Sequence, residues 1–227
     1  MQLKPYPGGR FTPELERNQQ RLEGALNDCT LHERPLISGQ YLLREGDPLS
    51  YLYLVPLGRV SMHISATNGR RFQLGETDCY YHLFGEMEFF NQTPCQWSVV
   101  ALEEFKVQQI CPQKLQQRLL QEPELTLFFA SAITYDFQHA LGLYTQRVLH
   151  PISYNIAHEL LLKHQKQQLL GGFNRTDIEA ERFGTTDRVY RRAVKELIEK
   201  GIAIKGKQGL EVADLQKLLQ FLGFSEE

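Results

Sequence analysis

The stretch from Ala180 to Gly201, AERFGTTDRVYRRAVKELIEKG, constrains the fold more than any other part of the chain. Two short helical patterns meet at Phe183-Gly184-Thr185, where Gly suits a helix end and Thr a helix start. In the second pattern Tyr190, Val194 and Leu197 recur at helical spacing and predict a buried stripe. Asp187, Arg188, Arg191, Arg192 and Lys195 fall on the opposite side, so one face of a short helix carries four cations. This pattern fits a helix-turn-helix whose second helix enters a DNA major groove. A basic amphipathic helix can equally be a solvated surface, but the residues that follow favour the first reading. Ile202-Ala203-Ile204 and Leu210-Glu211-Val212 flank the Gly- and Lys-rich turn Lys205-Gly206-Lys207-Gln208-Gly209, which predicts a basic hairpin and hence a winged helix.

Net charge is -2 over 227 residues, so no global basic field is present. From Thr185 to Lys205, however, six Lys/Arg face three Asp/Glu, a local +3. No apolar run approaches ~18 residues, and MQLKPYPGGRF lacks the apolar core of a signal peptide, so neither a membrane partner nor export is expected. Cys29, Cys79, Cys95 and Cys111 stand far apart with no C-x-x-C, which predicts reduced cytoplasmic thiols. Enzymatic constellations are missing. His158-Glu159 is followed by His164 six residues after the first His rather than four, so it reads as a helix surface and not a zinc site. Gly171-Gly172 precedes a polar loop, and neither G-x-S-x-G nor G-x-G-x-x-G occurs.

Along the chain, residues 1–12 hold Pro5, Pro7 and Gly8-Gly9 and predict a loose arm; a helix follows from Pro13 to about Leu26. Residues 31–110 then break into strand-length pieces: 39–43, 51–55, 60–64, the Asn68-Gly69 hairpin turn, 72–74, a run ending at Phe84, 97–102 and 105–110. Many short strands at near-regular spacing predict a β-barrel or jelly roll. After a brief helix at 113–121, nothing interrupts a helical pattern from Pro123 to Arg147. Leu125, Phe128, Ala132, Tyr135, His139, Gly142 and Gln146 mark a heptad seam, and Phe129, Ile133 and Leu143 give a second apolar edge that predicts a partner helix. His150-Pro151 ends it. Ile152, Ile156, Leu160 and Leu161 face inward on the next helix, residues 169–174 form a turn, and Thr176 with Glu179 has capping-box spacing. A last helix from Asp214 to Leu222 places Leu215, Leu218, Leu219 and Leu222 on one side.

This order resembles the CRP/FNR family of bacterial transcription regulators over nearly the whole chain. The resemblance rests on Arg44-Glu45-Gly46-Asp47, Leu52-Tyr53-Leu54-Val55, Gly58-Arg59-Val60, Asn68-Gly69 and Gly85-Glu86. In the C-terminal part it rests on Ala180-Glu181, Phe183-Gly184, Thr186, Arg192, Leu197 and Gly201-Ile202. It implies an α+β fold: a β-roll sensor like a cyclic-nucleotide-binding domain over 13–122, a dimerisation helix and hinge over 123–149, and a winged helix-turn-helix over 150–227. It further implies a homodimer on a pseudopalindromic double-stranded DNA site with half-sites ~34 Å apart, RNA polymerase as a further partner, and no enzymatic activity. Matched residue by residue, Thr186 would cap the recognition helix and Arg188, Arg191 and Arg192 would face base edges. Lys195, Lys205 and Lys207 would meet phosphates. Asp187 stands where relatives often carry a base-reading Arg, which predicts a different target sequence. Glu179 stands where relatives carry an apolar core residue, a role expected to pass to Ile178.

In cyclic-nucleotide relatives a Gly-Glu pair is followed about ten residues later by an Arg and then Ser or Thr. Here Gly85-Glu86 fits, but the later pair is Gln96-Trp97. Gln cannot neutralise a buried phosphate, Trp97 is bulky enough to fill the space, and Ala140-Leu141 replace hydroxyls, so cyclic AMP is not expected to bind. Three readings stay open: another small molecule held by Glu86, Gln96 and His139; a filled, vestigial pocket; or a haem or redox centre, since Asp78-Cys79-Tyr80-Tyr81-His82 faintly resembles a haem-ligating segment. Haem is disfavoured, because a lone Cys and His in a β-rich region are usually structural, and no cofactor is expected. The alternative to a DNA-binding regulator is a sensing or protein-interaction module without specific DNA binding.

Overall fold

The computed structural model describes residues 1–65, 71–165, 175–207 and 209–224. The Asn68-Gly69 turn, the turn at 169–174 with Gly171-Gly172, and Gln208 lie outside the described residues. The chain divides into two compact units, Met1–Ile64 with Thr77–Ala140 and Ser65–Glu76 with Leu141–Glu227.

Helix α1 (Thr12–Cys29) leads into a curled antiparallel sheet of β1 (Thr30–Leu36), β2 (Tyr41–Leu43), β3 (Leu52–Ser65), β4 (Arg71–Phe84), β5 (Ser98–Ala101) and β6 (Phe105–Ile110). Neighbours run β1-β6-β3-β5-β2, with β4 paired to β3. The sequence pieces at 51–55 and 60–64 are one strand. Its first half pairs with β6 (Leu52↔Ile110, Leu54↔Gln108) and its second with β5 (Val60↔Ala101, Met62↔Val99). Pro56 stands between the two halves, at a point where a missing N–H does no harm to either ladder. Leu54 and Val55 are both buried although adjacent, because the strand changes faces there. Leu52 and Leu54 join one apolar cluster with helices α1, α3 (Pro112–Gln121) and α4 (Thr126–Leu149), while Val55 and Val60 join another made by the strands.

The first twelve residues are not loose. Met1, Leu3 and Tyr6 are buried in the helical cluster. Met1 and Leu83 exchange two backbone hydrogen bonds of 2.9 Å, and Gln2 bridges to His82 as an added edge residue. Tyr6 stacks on Tyr135 with ring centroids 4.2 Å apart. The prolines and glycines shape this arm rather than freeing it.

A 3-10 turn at Pro123–Leu125 opens into α4. Leu125, Phe128 and Ala132 of the expected seam are buried in the chain's own core, as is Phe129, so they are not available to a partner. Beyond Ala132 the helix is exposed on nearly every side. Its exposed large apolar side chains there are Ile133, Tyr135, Phe137, Leu141, Leu143, Tyr144, Val148 and Leu149, of which Ile133, Phe137, Leu141, Tyr144 and Val148 follow one stripe spaced four, four, three and four. The exposed stripe is thus displaced from the predicted seam, whose later members Tyr135, His139, Gly142 and Gln146 are mostly polar or small.

The second unit contains α5 (Ile152–His164), α6 (Thr176–Arg182), α7 (Asp187–Glu199), the hairpin β7 (Ala203–Gly206) and β8 (Gly209–Val212), and α8 (Leu215–Phe221). Tyr190, Ala193, Val194 and Leu197 of α7 form the buried stripe and pack with Ile156, Leu160, Ile202, Leu210 and Leu218. Leu215, expected inward, is exposed.

Candidate nucleic-acid interface and sensor site

Gly184 at φ +62 makes the turn between α6 and α7 possible; its N–H donates to Glu181 O, and Thr185 N–H to Ala180 O. Thr186 then caps α7, its side chain accepting from Val189 N at 3.4 Å. Arg188, Arg191, Arg192 and Lys195 are all exposed along α7. Arg191 pairs with Asp187 one turn earlier, and Lys195 lies 3.5 Å from Glu199. Among the described residues Arg188 and Arg192 have no ion-pair partner, so they are the free cations of the face. Lys205 and Lys207 are exposed on the hairpin, where Lys205 pairs with Leu210 in register. The eight residues singled out for DNA therefore all lie on α7, its cap and the hairpin of one compact unit.

Beneath this face lies a cluster that sequence reasoning missed. Glu179 is buried and Ile178 is only half-buried, so the core role does not pass to Ile178. Nor does Glu179 close a capping box: the N-cap is Arg175, with no side-chain bond, and the Glu179 carboxylate accepts from Arg182 Nε at 2.7 Å. Arg182 is wholly buried and also pairs with Glu159 of α5. Glu159 is buried too, not the helix surface that His158-Glu159 suggested. Burial pulls the Arg182 guanidinium down to about 10. The available hint was the i, i+3 spacing of Glu179 and Arg182 on a short helix that must bury one side.

Of the five expected pocket residues, Gly85 and Glu86 open a short helix, Gln96 and Trp97 precede β5, and His139 stands on α4. Gly85, at φ +91, starts a short helix α2 (Glu86–Asn91) that the sequence pattern did not reveal; a Cβ there would sit 2.7 Å from Leu49 Cδ1. Glu86 is buried and lies 3.7 Å from the Met1 ammonium, which is also 3.9 Å from Asp136. Burial raises both carboxyls above their usual range, and the ammonium opposes that shift. Gln96 donates its backbone N–H to Glu88, not Glu86, at 3.0 Å. Trp97 packs, partly buried, against the strand cluster, and His139 is exposed on α4 with its ring 4.1 Å from Tyr135. Cys79 is buried and its thiol is pushed up to about 12 by burial; His82 accepts from Tyr80 N–H through Nδ1 at 2.9 Å. Among the described residues no group of three or more His, Cys, Asp or Glu could hold a metal ion, and no helix is long and apolar enough to cross a membrane.

Residues 33–122 match the family of cyclic nucleotide-binding domains, the class that this sheet and its short α2 define. Over 85–95% of its length the chain has the fold of the CRP/FNR-family transcription regulators. A CRP/FNR-family transcriptional regulator from Eubacterium rectale superposes with a TM-score of 0.70 at 13% identity, covering 95% of this chain and 98% of that one. The c-di-GMP responsive global regulator CLP of Xanthomonas campestris gives 0.69 at 15% identity, covering 86% and 99%. A CRP/FNR-family regulator from Thermus thermophilus gives 0.64 at 17% identity, covering 85% and 98%. No curated protein matches the chain by sequence.

Proposed function

We propose that the protein is a homodimeric, sequence-specific DNA-binding transcription regulator without enzymatic activity. In this reading residues 13–122 form the sensor, 123–149 the dimer helix and hinge, and 150–227 the DNA-binding part. The observation that carries it is the α7 face: a capped helix whose Arg188 and Arg192 are exposed and, among the described residues, without an ion-pair partner, flanked by Lys205 and Lys207. Arg188 and Arg192 read base edges, where a guanidinium meets guanine O6 and N7 with two bonds. Arg191 must leave Asp187 to do the same, while Lys195, Lys205 and Lys207 contact phosphates. The exposed stripe Ile133, Phe137, Leu141, Tyr144 and Val148 supports a second copy as the partner of α4. RNA polymerase is the further partner a regulator of this kind implies.

Selection of binding sites from a random duplex library tests the reading. A pseudopalindrome with half-sites ~34 Å apart is expected. Roughly four phosphate contacts per protomer give a log–log salt slope near -7. Uniform weak binding to every duplex would instead favour a module that contacts proteins through its winged helix.

For the sensor, a site closed to cyclic AMP is the better-supported state. Gln96 and Trp97, at the positions expected to meet the phosphate, supply no cation for it. Calorimetry with cyclic AMP and cyclic GMP is expected to give no heat of binding at micromolar concentrations.

A further inference from the structure

Arg147 lies in the last turn of α4, three residues before His150-Pro151, where the helix stops. Its side chain is 19% exposed, and burial lowers its affinity for its proton. The guanidinium reaches across the break: its NH2 lies 3.6 Å from Glu159 Oε1, while Glu159 Oε2 holds Arg182. Arg182 in turn binds Glu179 on α6. Both guanidiniums also lie over the Phe183 ring, Arg182 at 4.6 Å and Arg147 at 5.8 Å, and Phe183 stacks on Tyr190 of α7 at 5.8 Å. One line of contacts therefore runs from the end of α4 through α5 and α6 to the helix that carries Arg188 and Arg192.

The cluster comprises two guanidiniums and two carboxylates. Arg182 alone bridges Glu159 and Glu179, so the core of the domain keeps its ion pairs without Arg147. Arg147, which lies over the Phe72 ring at 5.6 Å as well as over Phe183, is thus the member that those ion pairs do not need. What it adds is a tie across the break. Pro151 fixes its own φ, but the backbone on either side can still swivel. The Asn155 side chain donates to His150 O at 3.1 Å, a contact local to the break itself. Arg147–Glu159 instead spans twelve residues and joins the two helices as bodies.

We propose that Arg147 is a positioning residue for DNA recognition: held by Glu159 and Phe183, it fixes α7 at one rotation about the end of α4 and so sets the half-site spacing the dimer accepts. This rests on the DNA-binding reading above. Changing the spacer by one base pair turns one half-site against the other by about 34–36°, so a dimer with a fixed joint discriminates sharply between spacers and one with a loose joint does not.

The test uses the full-length protein, Arg147→Met and Arg147→Lys, with the selected operator and versions with one base pair added or removed. The wild type is expected to prefer its own spacer by about tenfold or more, the Met variant by less than about threefold, and the Lys variant to fall between them. Hydrogen exchange without DNA supplies a second readout: amides of residues 149–155 are expected to exchange several-fold faster in Arg147→Met, with an unchanged thermal transition. A Met variant that keeps the spacer preference, or loses affinity equally for all spacers, overturns the proposal. So does unchanged exchange across the break. A wild type that selects no operator removes the DNA-binding reading instead, and this result is read before any variant is compared.

Discussion

Protonation of His82 is expected to loosen the N-terminal arm in mild acid. The ring is half-buried beside the Gln2 bridge, and its Nδ1 accepts the Tyr80 N–H, which only an unprotonated nitrogen can do. Burial, with the charges of Met1 and Lys4 added, pulls its pKa from 6.5 to about 4. Between those values the unfolded chain binds more protons than the folded one, so the contribution is intact above pH 6.5 and is lost as the pH falls toward 4. The shift corresponds to roughly 2 kcal/mol at pH 5, and solvent screening at a half-buried ring reduces this to about 1–2 kcal/mol. In His82→Asn the amide oxygen takes the place of Nδ1 and accepts the same N–H without titrating. Urea unfolding of both proteins at pH 7.5 and pH 5 measures the difference. The variant is expected to lose about 1–2 kcal/mol less than the wild type over this interval. Equal losses in the two proteins would refute the assignment, because the acid sensitivity would then belong to other groups.

Replacing Arg182 by Met removes the guanidinium that both buried carboxylates face, a cost of about 3–5 kcal/mol, and at ~4–8 °C per kcal/mol the melting transition of the C-terminal unit should fall by more than about 12 °C in calorimetry. Combining it with Glu159→Gln and Glu179→Gln should recover much of that loss. Arg188→Ala or Arg192→Ala is expected to cost about 1–3 kcal/mol at one base position per half-site in a competition assay. A uniform loss over all sequences would reassign that residue to the phosphate backbone. Phe137→Glu places a charge on the exposed stripe of α4, and sedimentation should show a dissociation constant raised about a hundredfold or more. In Glu86→Gln the stability that the wild type loses as the pH rises above the ordinary carboxylate range should disappear from unfolding curves, since burial holds this carboxyl protonated to higher pH in the folded chain.

The order of elements was legible because periodicity reports burial. Tyr190, Val194 and Leu197 face inward as their spacing requires, and the Gly184 turn and Thr186 cap follow from what those residue types permit. What stayed hidden was long-range. β3 reads as two strands because its halves serve different neighbours, a fact stored in β5 and β6. The arm reads as loose because its prolines and glycines are local, whereas its anchors, Leu83 and Tyr135, lie some eighty and more residues away. Glu159 and Glu179 read as surface because a carboxylate usually is; Arg182, approaching both, makes their burial tolerable. The heptad reading of α4 failed for a similar reason. Its first turns are claimed by the chain's own core, so the exposed stripe begins later, at Ile133.

That stripe bears on gene dosage. If a second copy covers Ile133, Phe137, Leu141, Tyr144 and Val148, a newly made chain remains vulnerable to proteases and aggregation until it meets another, and the waiting time shortens as copies accumulate. The amount of working regulator would then climb more steeply than its rate of synthesis, giving a weakly expressed gene a threshold without any effector.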